Sequence, residues 1–116
     1  MKQYQIINAY SAMDSFANLD LMPDEHWAIY QLRKQLRPHV DFQIEREQAL
    51  SEKYKEFADE KGRLMDEKAN EFLQERDEIN NMDVEIEIEK PKIRLVKGIS
   101  FAIAEQLEDF IEFIHE

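Results

Sequence analysis

At 116 residues, 43% of them hydrophobic, the chain reads as a single domain, 1–116, long enough to bury a modest core without disulfide or metal staples. Cysteine is absent, which excludes a disulfide framework, a thiolate metal site and a thiol nucleophile. Twenty-six acids against fifteen bases give a formal charge of −11, and a field of that sign repels phosphate backbones, so no direct contact with nucleic acid is expected.

The opening residues, MKQYQIINAYSAMDSF, are interrupted by Gln, Asn and Ser too often for a signal-peptide core, and no later run approaches a membrane span. A soluble, unprocessed protein without a membrane partner is the expectation. Two glycines and three prolines leave few places to turn, so most of the chain reads as long helix. From Tyr4, apolar residues at Ile6, Ile7, Tyr10, Met13, Phe16 and Ala17 recur at helical steps and predict an amphipathic helix ending at 18–20. A second helix is predicted to start at 21–23, where Pro23 suits a first turn and Asp24 and Glu25 complement the helix dipole. Its apolar stripe runs through Trp27, Ile29, Leu32, Leu36, Val40, Ile44, Leu50, Tyr54 and Phe57. Pro38 removes a backbone hydrogen bond and predicts a kink or short break at 36–39.

Lys61-Gly62 marks a stop, followed by a short connection and a third helix from Asp66 with Ala69, Phe72, Leu73, Arg76 and Ile79 inward. Asn80-Asn81 closes it, so the second and third helices predict an unequal antiparallel helical hairpin. The rival is one uninterrupted helix over 23–81 that tolerates Gly62 at a cost of about 1 kcal/mol. Over 82–89 the period changes to two: Met82, Val84, Ile86 and Ile88 alternate with Asp83, Glu85, Glu87 and Glu89, the pattern of a half-buried strand. A β-ribbon over 83–95 is predicted in one of two forms. A loop at 89–92 would make a hairpin with Ile88 facing Ile93 and Ile86 facing Leu95; otherwise one longer strand bends at Pro91 and pairs with 63–65. Ser100 then caps a last helix whose inward face is Phe101, Ile103, Ala104, Leu107, Phe110, Ile111 and Ile114, with Phe113 at its edge. The fold class is therefore mainly α with a small β-ribbon, a long helix and helical hairpin packed with N- and C-terminal helices.

No residue pattern assembles a reaction. His26, His39 and His115 lie on three separate segments with no second ligand at helical spacing, so no metal is expected. The carboxylates fall on solvated faces, and no glycine-rich loop precedes a helix, so neither catalytic residues nor a cofactor are expected. Two surface features stand out. Between 71 and 89 there are eight acids and one base, and between 105 and 116 five acids and no Lys or Arg. Glu71, Glu75, Glu78, Glu85 and Glu87 form a candidate acidic face, which is a plain solubilising surface or an imitation of a phosphate backbone. The aromatics Trp27, Tyr30, Phe42, Tyr54, Phe57 and Phe113 form a candidate interaction surface.

A first helix with Ile7-Asn8-Ala9-Tyr10, a long charged helix, the segment Val84-Glu85-Ile86-Glu87-Ile88 and a terminal Phe110-Ile111-Glu112-Phe113-Ile114 resemble a family of small uncharacterised proteins of tailed phages and prophages of Gram-positive bacteria. The resemblance spans nearly the whole chain and brings no activity, cofactor or site residue with it. It implies a non-enzymatic phage or prophage protein acting through protein contacts, structural or assembly-related, in the host cytoplasm or the virion. The alternative is an acidic inhibitor that imitates nucleic acid and blocks a host nuclease or DNA-binding protein. A homodimer is expected, because the second helix spans roughly 50 Å and outruns the shorter helices available to cover its stripe.

Overall fold

The computed structural model describes residues 1–115, and Glu116, the last acid of the C-terminal run, lies outside the described residues. Helix α1, Gln3–Ala12, starts where the Gln5 side chain accepts the Lys2 N–H at 2.8 Å, and it tightens into a 3-10 turn over Met13–Asn18. Helix α2, Pro23–Tyr54, is 32 residues long and opens with proline at its first turn and Glu25 accepting the Met22 N–H at 2.9 Å. It runs unbroken through Pro38, so the expected break at 36–39 is absent. Pro38 itself is exposed, while Leu36 beside it is fully buried, and the Gln3 side chain donates to the His39 carbonyl at 2.8 Å. Packing on α1 on one side of the proline thus offsets its lost hydrogen bond.

After a 3-10 turn at Lys55–Phe57 the chain reverses, and α3, Asp66–Asn80, returns along α2. The reversal is built on Asp59, whose carboxylate accepts from Lys61 N at 2.9 Å and Arg63 N at 2.8 Å, and on Gly62 at φ +77°. The uninterrupted helix is thereby excluded and the hairpin established. Its antiparallel register is fixed by Gln43 to Asn80 at 2.9 Å, Lys53 to Glu75 at 2.6 Å and the edge-on rings of Tyr54 and Phe72 at 5.6 Å.

The ribbon differs from both predicted forms. Residues 84–90 are extended but form no strand; the segment is tied at its start to the N-terminus, through a Lys2–Asp83 bridge and Val84 N to Met1 O at 2.7 Å, and in its middle by Gln35 donating to Glu87 O at 2.5 Å. The alternation was informative all the same, since Val84, Ile86 and Ile88 pack on the core while Glu85, Glu87 and Glu89 face solvent. The strands are β1, Lys92–Arg94, and β2, Glu112–Ile114, paired in parallel with Ile93 beside Phe113. Between them lies α4, Phe101–Leu107, whose first turn is capped by Ser100 Oγ accepting from Ile103 N at 3.2 Å. The last helix is therefore shorter than predicted. Phe101 is exposed rather than inward, and Phe113 and Ile114 belong to a strand. The open backbone of β1 offers the Phe- and Ile-rich tail a ladder, and that outweighs continuing the helix.

The main core lies at one end of the molecule, where Ile6, Ala9, Met13 and Phe16 meet Ile29, Leu32 and Leu36 of α2 and Ile93, Leu107, Phe110 and Ile111 of the β-α-β segment. The far half of α2 and α3 project from this head as a two-helix arm, giving overall extents of 55 × 29 × 20 Å. Leu50 and Tyr54 are the buried apolar residues that α2 contributes to the arm.

Candidate functional site

The first turn of α2 is locked to β1, and that lock sets the position of everything on the following turns. Glu25 is buried and accepts from Arg94 N at 2.8 Å and Arg94 Nε at 2.9 Å, with Arg94 Nη2 at 2.8 Å. Burial alone would push this carboxyl up, but the hydrogen bonds from the Arg94 side chain and backbone and from Met22 N, with the guanidinium charge, outweigh it and hold it down at about 2.

From this anchored end, His26, Tyr30, Arg33 and Arg37 follow one another at steps of three and four and form one stripe of α2 facing α1. The stripe and the α1 end enclose a groove of about 410 Å³. Its floor is apolar: Met13 and Phe16 from the 3-10 turn and Ile29 from α2, all buried. The wall is Tyr10, over whose ring the Arg33 guanidinium lies at 4.3 Å while it also pairs with Asp14. Lys34 and Arg37 stand exposed on the opposite rim, and among the described residues neither forms an ion pair. Beside the groove Trp27 and Tyr30 stack on each other at 5.3 Å with 59% and 55% of their surface exposed.

The candidate aromatic surface is accordingly split. Trp27 and Tyr30 form one shelf at the groove; Phe42 on α2 and Phe57 in the 3-10 turn after it are exposed separately. Tyr54 is only 5% exposed, packed between Phe57 and Phe72, and Phe113 packs edge-on against Phe16 at 6.4 Å, so neither belongs to an open surface. The reason is α3, which covers Tyr54, and the β1–β2 pairing, which turns Phe113 toward the core. The candidate acidic face is divided too. Glu71 pairs with Lys68 at 3.1 Å and Glu75 with Lys53 at 2.6 Å, and the Lys53 ammonium holds the Glu75 carboxyl below its usual range. Glu78 is exposed on α3, whereas Glu85 and Glu87 are exposed on the separate extended segment.

The basic rim was missed in the sequence, yet a signal for it existed. Residues 26–40 hold Arg33, Lys34 and Arg37 and not one acid, in a chain where acids outnumber bases. Among the described residues, no three His, Cys, Asp or Glu side chains come together in a way that could hold a metal ion. His26 lines the groove alone, and His39 and His115 are elsewhere. In comparisons with family models, curated proteins and solved structures, nothing matches the chain.

Proposed function

We propose that this is a non-enzymatic protein of phage or prophage origin that acts by binding other proteins, in a structural or assembly role, in the host cytoplasm or the virion. The observation that carries the binding role is the stacked Trp27–Tyr30 pair, more than half exposed, beside an apolar groove. Tryptophan, tyrosine and arginine are the side chains that dominate protein contacts, and here they occupy neighbouring turns of one anchored helix. The phage origin rests on the resemblance in the order of elements. An inhibitor imitating nucleic acid has less support, because Lys68 and Lys53 neutralise Glu71 and Glu75 and the remaining acids lie on two elements. No helix among the described residues is long and apolar enough to cross a membrane.

A second copy is one such partner. Phe42 and Ile44 of α2, Phe57 of the 3-10 turn that follows it and Leu73 of α3 are all exposed along the arm, and bulky side chains of this kind are worth about 1.5 to 3 kcal/mol each when buried. The charge of −11 opposes pairing, so a dimer should tighten as salt screens it. The experiment has two parts. Products of the neighbouring genes, co-expressed one at a time, should bind the wild-type chain and lose binding to a variant carrying Trp27→Ser and Tyr30→Ser. Sedimentation equilibrium at low and moderate salt should show dimers. Retained binding by the double variant would overturn the role of the aromatic shelf, and a monomer at every concentration would overturn self-association.

A further inference from the structure

The groove between α1 and α2 combines features that point to more than general stickiness. Its floor is buried and apolar, its volume of about 410 Å³ admits a bulky side chain, and its rim is cationic on a protein whose net charge is −11. Arg33 is held in place by Asp14 and the Tyr10 ring, whereas Lys34 and Arg37 form no ion pair among the described residues. Unpaired cations on an acidic protein lower their energy when a carboxylate arrives, and they select against basic partners.

We infer that this groove receives an acidic amphipathic segment of a partner protein, with an apolar side chain on Met13, Phe16 and Ile29 and carboxylates against Lys34 and Arg37. The inference rests on the protein-binding reading above and adds the partner's chemistry. Two observations favour a polypeptide over a small amphipathic anion such as a fatty acid. The rim runs from His26 to Arg37, about 16 Å at the helical rise, which a single headgroup does not span but three turns of a facing helix do. The Trp27–Tyr30 shelf extends the apolar surface outside the groove, where a small ligand would leave it wet and a protein segment covers it.

The chain's only tryptophan stands next to the groove, so Trp27 emission reports occupancy directly. Three probes are titrated: a helical peptide with Leu and Phe on one face and Glu on the other, the same peptide with Lys for Glu, and laurate. The Glu peptide should shift the emission to saturation and bind more weakly as salt rises, and the Lys peptide should not bind. A variant carrying Lys34→Glu and Arg37→Glu, both exposed positions whose exchange leaves the core intact, should bind the Glu peptide at least roughly tenfold more weakly. Equal binding of the Glu peptide by wild type and variant, or equal binding of the two peptides by wild type, would overturn the acidic partner and leave the protein-binding reading standing. Laurate binding with no response to either peptide would overturn both. Sedimentation closes the last alternative: self-association that blocks the Glu peptide and is lost in the variant would assign the groove to a second copy instead.

Discussion

Glu25 accepts from Met22 N at the start of α2 and from Arg94 of β1, so one carboxylate caps the long helix and fastens it to the strand pair. Glu25→Gln weakens the charge-assisted hydrogen bonds from Arg94 and should cost roughly 1 to 3 kcal/mol in urea unfolding at neutral pH. The folded carboxyl lies at about 2, below its ordinary 4.5. Its contribution is therefore complete above 4.5 and is lost as the pH falls toward 2. The wild type should lose stability over that interval more steeply than Glu25→Gln, and equal slopes would show that other carboxylates, such as Glu75 and Asp83, govern the acid limb. Sequence spacing marked Glu25 only as a first-turn acid; its partner, 69 residues away, was out of reach of any local pattern.

At the level of elements, the two glycines make a controlled pair. Both have positive φ, but a Cβ on Gly98 would lie 2.8 Å from the Leu19 side chain, whereas at Gly62 nothing is within 4 Å. Gly98→Ala should destabilise by about 2 to 3 kcal/mol, strain and overlap together, and Gly62→Ala by only about 1. Thermal unfolding of the two variants checks the order; a larger loss at Gly62 would mean the hairpin turn is more constrained than its open surroundings indicate. Pro38 supplies the opposite case. It is exposed within a continuous helix, so Pro38→Ala restores a backbone hydrogen bond and should raise stability by about 1 to 3 kcal/mol. An unchanged or lower melting temperature would mean the helix around His39 depends on the proline's own geometry.

Across the whole molecule, stability is distributed unevenly between head and arm. The head holds the main buried cluster, while α3 contributes no fully buried residue to the arm. Native-state hydrogen exchange should find α3 and the half of α2 beyond Gln43 opening at lower free energy than α1 and the start of α2. Uniform protection along α2 would show that the long helix opens only with the head. The groove lies on the stable part, so a partner bound there should leave the arm's exchange unchanged, whereas a dimer formed along the arm should slow it.

What the sequence determined by itself was periodic: helices where apolar residues recur every three or four positions, the turn at Gly62, the Ser100 cap and the inward face of Val84, Ile86 and Ile88. These depend on contacts within a few residues or on burial of one face, and both leave a local trace. Tertiary structure alone decided that β1 pairs in parallel with β2, that Tyr54 is covered by Phe72, and that the acid-free stretch of α2 faces Met13 and Phe16 of the 3-10 turn after α1. Each of those depends on which distant segment arrives alongside, a choice made by the shared core, and no spacing within either segment encodes it.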